Sequence, residues 1–231
     1  MNRTTDTPSG YTLARPGRLF PLIRHISCRA TSLLVRLPVT PNQVTLASIA
    51  AGLGGALCYL QGEQGWQVLG ALLLMLSYVL DFCDGEIARL KGMYSDLGAR
   101  LDTFGDWAVH SALFVALGSG VEGQTGEALW LWLGWAAAAG ATINYVIALI
   151  RDARQEGEPE AKHVTPVAPV PRGLKDRFVF AFRELARADF CFLLLALTLL
   201  DLAWLLLPLA AVGAQLYWMM AFAEGARAYR V

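Results

Sequence analysis

Five aspartates fall between residues 81 and 106, in the run DFCDGEIARLKGMYSDLGARLDTFGD, and four of them repeat at helical spacing. On a helix Asp81, Asp84, Gly85 and Ala88 share one face, and so do Gly98, Asp102 and Asp106. Two helices joined by a short turn near Lys91–Tyr94 would aim four carboxylates at one another. Carboxylates that close repel unless a cation sits between them. The spacing therefore predicts a divalent-metal site. Hard oxygen ligands favour Mg²⁺ or Mn²⁺ over zinc, and no His or Cys completes a zinc set. A polar hairpin with a chance cluster is the competing reading. Each charged side chain in so apolar a setting costs about 2.5–3.5 kcal/mol, which makes chance a poor account.

The elements that must position these carboxylates are long and oily. The chain has 231 residues, 55% of them apolar, with a mean hydropathy of +0.44, too apolar for an ordinary soluble domain. Residues 1–16 are polar and predict a disordered tail. Residues 17–37 carry Leu19, Leu22, Ile23, Ile26, Ala30, Leu33, Leu34 and Leu37 at helical spacing, with Arg18, Arg24, His25, Arg29 and Arg36 mostly off that stripe. This is the pattern of an amphipathic helix lying on an anionic membrane surface. Residues 38–231 then form one domain with six apolar segments: 44–60, 66–89, 100–119, 128–150, 188–205 and 207–225. Each approaches the ~20 residues needed to span a bilayer, so the expected fold is an all-α integral membrane protein of six transmembrane helices. Asp201 interrupts the last two segments, and the turn between them is expected at Leu206–Pro208, or the two form a re-entrant pair.

Charge sets the orientation. The Gln61–Gly65 and Ser119–Glu127 connections contain no Lys or Arg, and all 19 basic residues lie elsewhere: the N-terminal region, residues 89–100, residues 151–187 and the C-terminal end. The positive-inside rule makes those regions cytoplasmic, with both termini and the aspartate cluster on that side. In a bacterium the membrane would be the inner or plasma membrane. Cys28 and Cys83 would then face the reducing side, and the four cysteines (Cys28, Cys58, Cys83, Cys191) show no redox or metal spacing. No cleavable signal peptide is visible, since the first apolar run begins late and lacks a small-residue cleavage site. The 151–187 loop is rich in Pro, Val and Arg, and Arg183–Arg187 reads as the start of a helix. Its basic residues suit an anionic substrate, with Arg151 and Arg187 the candidates for contact, or simply fix topology.

The pattern Asp-x-x-Asp-Gly-x-x-Ala-Arg, eight residues, then Gly-x-x-x-Asp-x-x-x-Asp, is met at every fixed position. It resembles the signature of the CDP-alcohol phosphotransferase family, membrane enzymes that make phospholipid head groups. The resemblance implies transfer of a substituted phosphate group, phosphatidyl in many members, from a CDP-alcohol to an acceptor alcohol with release of CMP. It implies two divalent ions held by Asp81, Asp84 and Asp102. It gives Asp106 the role of general base on the acceptor hydroxyl, with contact to a metal as well. Gly85, Ala88 and Gly98 keep their faces small enough for a nucleotide or a facing helix to approach. Arg89 can pair with a phosphate, with Asp96 or with Asp102. Asp96 itself lies outside the pattern and reads as a loop or supporting residue. A Pro-Asn-x-x-Thr entry at Pro41–Thr45 also recurs in the family. It would place Asn42 or Thr45 near the nucleotide, although helix capping explains these two equally well. Gly52, Gly54 and Gly55 read as packing residues. A homodimer is the family's expected assembly, and nucleic acid is not an expected partner.

The donor can be CDP-diacylglycerol or a soluble CDP-alcohol, with a slight lean from the basic loop toward a phosphorylated acceptor. Two other classes compete. A membrane prenyltransferase holds Mg²⁺ on a pyrophosphate through Asp-x-x-Asp pairs, but usually presents a second such motif, which is not found. A cation transporter would bury acids at mid-membrane in a repeated pattern, and no repeat is visible.

Overall fold

The computed structural model describes residues 21–155 and 189–228, and these are helical apart from short connections. The helices are α1 (Ile23–Leu34), α2 (Pro41–Tyr59), α3 (Gln64–Lys91), α4 (Asp96–Thr125), α5 (Ala128–Gln155), α6 (Phe190–Leu199) and α7 (Leu206–Ala228). A 3-10 turn at Ala203–Leu205 leads into α7. The expected tail over residues 1–16, the helix start at Arg183 and most of the basic loop lie outside the described residues.

Local chemistry sets the boundaries. Thr40 caps α2: its hydroxyl accepts the Gln43 amide N–H, the Gln43 side chain accepts the Thr40 N–H, and Pro41 occupies the first turn. Capping thus belongs to Thr40 and not to Asn42 or Thr45. Gly92, at φ +65°, ends α3 in the left-handed conformation that glycine adopts without strain. Ser95 then caps α4 by accepting the Gly98 N–H at 3.0 Å. The expected turn at Lys91–Tyr94 is therefore present, and Asp96 is the first residue of α4 rather than a loop residue.

Two expectations need correction. The turn before α7 falls at Leu200–Leu202, where Asp201 takes φ +59°, and not at Leu206–Pro208. Asp tolerates the left-handed region, while Pro208 sits in the first turn of α7, where a missing N–H costs nothing. The connection after α4, which lacks Lys and Arg, is also shorter than its sequence suggested, because α4 continues to Thr125 and only Gly126 and Glu127 link it to α5. The face that α1 turns to the other helices is Ile23, Ser27 and Thr31, and Leu33 is 66% exposed. The reason is Glu86 of α3, fully buried opposite α1. It accepts the Thr31 hydroxyl at 2.6 Å and lies 3.8 Å from the Arg24 guanidinium. A buried carboxylate must be paired, so α1 turns Thr31 and Arg24 toward it.

The helices form an arc. α2 packs on both α3 and α4, α5 packs on α4, α7 on α5, and α1 and α6 on α3. Although joined by a short turn, α3 and α4 make no extended contact with each other. α2 fits between them because of two glycines. A Cβ on Gly52 would lie 2.6 Å from Val109 of α4, and one on Gly105 would lie 2.6 Å from Ile49 of α2. Gly55 likewise meets Gly70 of α3, whereas Gly54 has room to spare and is not a close-packing residue. The main apolar core gathers Tyr59, Leu74, Leu113, Leu117, Leu194 and Leu207 at the end of the arc away from the α3–α4 turn. Two helical stretches, Gln64–Lys91 and Ala128–Arg151, are long and apolar enough to cross a membrane; Phe190–Leu199 and Ala203–Met219 are apolar but shorter.

Candidate active site

At the turn end of the arc, α3 and α4 flank α2 and bring their motif residues together. Oxygens of Asp81, Asp84 and Asp102 all lie within 4.8 Å of one another. Three hard carboxylate oxygens at that separation fit a divalent cation of the Mg²⁺ or Mn²⁺ type. Asp84 is buried, and the Thr45 hydroxyl donates to its Oδ2 at 2.5 Å. The same hydroxyl also reaches the Pro41 carbonyl, at 3.2 Å. Thr45 therefore orients a candidate ligand, a supporting role the sequence alone did not separate from nucleotide contact.

Asp106 stands one turn beyond Asp102 on the same face, exposed and outside the three-oxygen cluster. It lines a cavity of about 660 Å³ bounded by α3, α4, α5, α6 and α7, with Asp81 and Tyr78 on one wall and Asn144 and Tyr145 on another. The four aspartates thus divide into a trio suited to a cation and a fourth facing open space.

The remaining motif positions cluster at this end. Gly98 lies tight against Asn42, with a Cβ there falling 2.8 Å from Asn42 Oδ1, which brings Asn42 to the start of α4. The face of Gly85 meets only the Arg89 guanidinium, 3.4 Å from where a Cβ would stand. Ala88 is half-buried, and its carbonyl accepts the Gly92 and Met93 N–H groups as α3 ends. Arg151 is exposed near the end of α5, well past Tyr145 and outside the cavity lining. Arg187 lies outside the described residues.

Two cavity residues escaped the sequence reading. Tyr78 Oη and His110 Nε2 are 2.7 Å apart across the α3–α4 gap, and His110 Nδ1 is 2.7 Å from the Asp106 carbonyl. Tyr78 precedes Asp81 by three residues and His110 follows Asp106 by four, so the helical spacing that exposed the carboxylates also carried these two. Asp189 was missed as well. Buried at the start of α6, it accepts the Leu22 and Ile23 N–H groups, each at 2.8 Å, and so caps α1 from a distant part of the chain.

The family model described as CDP-alcohol phosphatidyltransferase matches residues 38–223. The chain belongs to the CDP-alcohol phosphatidyltransferase family. Among relatives in this family, a phosphatidylinositol phosphate synthase of Corynebacterium glutamicum is 38% identical over 85 residues, covering 37% of this chain and 38% of the relative. One from Cutibacterium acnes is 33% identical over 115 residues, covering 49% and 54%. A bifunctional IPC transferase and DIPP synthase of Rubrobacter xylanophilus is 38% identical over 152 residues, covering 60% and 33%. The matches therefore span about a third to a half of these curated relatives. The fold resembles the crystal structure of Mycobacterium tuberculosis phosphatidylinositol phosphate synthase with CDP-DAG bound, with a TM-score of 0.53 and 21% identity over 84% of this chain and 91% of that one. Family membership accounts for the aspartate spacing, and the structure adds where each carboxylate points.

Proposed function

We propose that this chain transfers a substituted phosphate group, phosphatidyl in the favoured case, from a CDP-alcohol to an acceptor alcohol with release of CMP. The observation that carries this is the three-carboxylate cluster opening beside a 660 Å³ cavity with Asp106 in its wall. Asp81, Asp84 and Asp102 would hold Mg²⁺ or Mn²⁺, two ions in the full site, with Asp106 close enough along α4 to share one. Bound there, the cation supplies charge neutralisation on a pyrophosphate. Asp106 accepts the proton of the acceptor hydroxyl as its oxygen bonds to phosphorus and the bond from that phosphorus to CMP breaks. Gly85, Ala88, Arg89, Gly98 and Asn42 form the nucleotide side of the gap, and Arg151 and Arg187 are assigned to the acceptor or its phosphate. The prenyltransferase and transporter readings have no comparable support beside the family match.

The same proposal takes α2–α7 as six membrane spans, with residues 17–37 as the interfacial helix, residues 38–231 as the catalytic domain and residues 1–16 as a disordered tail. Exposed Leu33 on α1 and exposed Leu37 just beyond it suit a segment resting in lipid head groups. At 1.5 Å per residue α3 is about 42 Å long against a hydrocarbon core of ~30 Å, so its carboxylate end can sit at the water boundary. The absence of Lys and Arg from the opposite connections supports a cytoplasmic site with both termini on that side. The assembly proposed is a homodimer. The test is release of labelled CMP by purified protein, given CDP-diacylglycerol or a soluble CDP-alcohol and a panel of phosphorylated and neutral acceptors. Release that depends on one donor and one acceptor names the reaction, while no release with any pair removes the proposal.

A further inference from the structure

We infer that Tyr78 and His110 form a positioning pair that ties α3 directly to α4 beside α2, and through that tie holds Asp106 and Asp102 in place against Asp81. The inference rests on the transferase reading for its effect on turnover, though not for its effect on the carboxylates.

The two motif helices make no extended contact with each other; α2 spaces them, with Gly52 tight against Ser77 and Val109, the chain neighbours of Tyr78 and His110. The Tyr78–His110 bond crosses the gap directly at 2.7 Å, and the two rings meet edge-on with centroids 5.8 Å apart. Behind the histidine, the ring of Phe190 lies 6.1 Å away and closes the third side. Both imidazole nitrogens are committed. The Asp106 carbonyl can only accept, so Nδ1–H donates to it, and in the neutral ring Nε2 then accepts the Tyr78 hydroxyl. The ring thus links the hydroxyl of Tyr78 on α3 to the backbone of α4 at Asp106.

Its place in the fold matters for the carboxylates. The pair lies about one helical turn from Asp81 and Asp106, on the same faces of the same helices. Between them is a void of only about 20 Å³, room for roughly one water, bounded also by Ser48, Ser77 and Gly105. The pair and both aspartates also border the larger cavity, but on this side there is little slack, and a change at the pair is passed to the aspartates. A displacement of about 1 Å in a reacting group costs on the order of 10²-fold in rate.

The test uses Tyr78→Phe, His110→Phe and the double variant in purified full-length protein, with Mn²⁺ affinity, turnover and donor KM measured together. Each single change is expected to weaken Mn²⁺ binding and turnover by roughly 10- to 100-fold, the range for supporting partners of a metal site. Donor KM should hold within about twofold, and the double variant should be no worse than the poorer single, because either change breaks the same tie. Wild-type Mn²⁺ affinity in Tyr78→Phe overturns the inference, and so do losses that multiply in the double variant. Should His110→Phe fail to fold, Tyr78→Phe, which removes one oxygen and keeps the ring, carries the test against the wild type. Weakened Mn²⁺ binding in the variants of a protein that releases no CMP at all keeps the tie and removes the transferase reading instead.

Discussion

The two ends of the α2–α3–α4 unit are built on opposite terms. At the far end every polar group named is neutral and bonded: Tyr59 Oη meets Thr198 Oγ1 at 2.6 Å, Gln64 donates to the Thr198 carbonyl at 2.6 Å, and Gln67 and Gln124 both donate to the Gly62 carbonyl. α3 and α4 are thus tied to one loop oxygen there, with Leu74, Leu113 and Leu117 packed dry beside it. At the near end the same helices bring three carboxylates into a space less than 5 Å across. Like charges that close oppose folding. The far end supplies the stability that lets the near end keep a repulsive, cation-ready cluster, and changes at the two ends should have separable effects.

The largest effect should come from the trio. Asp81→Asn, Asp84→Asn and Asp102→Asn should each bring turnover to background in a protein that still elutes as a folded species in detergent. Normal turnover in any two of them at ordinary Mg²⁺ would break the comparison at its centre. Next is Asp106→Asn, with a loss of about 10²–10⁴-fold, the usual contribution of a positioned acid–base group, while nucleotide affinity stays near wild type. Loss of nucleotide binding equal to that of Asp84→Asn would move Asp106 into the ligand set.

A smaller effect is expected at Thr45→Val, which keeps the shape of the side chain and removes the donor to Asp84. Metal affinity should fall about 10- to 100-fold, read by titrating activity with Mn²⁺. The smallest lies at the far end. Tyr59→Phe should lower stability by about 1 kcal/mol through the lost bond to Thr198 and leave turnover unchanged. A turnover loss there without a stability loss would show that the ends are not separable.

How much of this was readable beforehand follows from sequence distance. The carboxylate faces, the α3–α4 turn and the candidate ligands were legible, because each depends on spacings of three or four residues along one helix. Thr45 was visible as a residue but read as either a cap or a nucleotide contact, since its actual partner, Asp84, lies 39 positions away. The Glu86–Thr31 contact, the Asp189 cap on α1 and the Tyr78–His110 bond were not legible at all. They join elements 32 to 167 residues apart, and only the packed arc brings them together. The Asp201 turn was misplaced because proline is the stronger sequence signal, yet it fits the first turn of a helix as well as it breaks one.

The central claim, that the aspartate cluster is a divalent-cation site for cleaving a CDP-alcohol, is most directly tested by labelled CMP release before and after chelation. Wild-type protein should release CMP from CDP-diacylglycerol in the presence of acceptor, stop when chelated, and recover with Mg²⁺ or Mn²⁺, while Asp84→Asn should stay silent throughout. Release that continues undiminished in chelator, or in Asp84→Asn, would contradict the account.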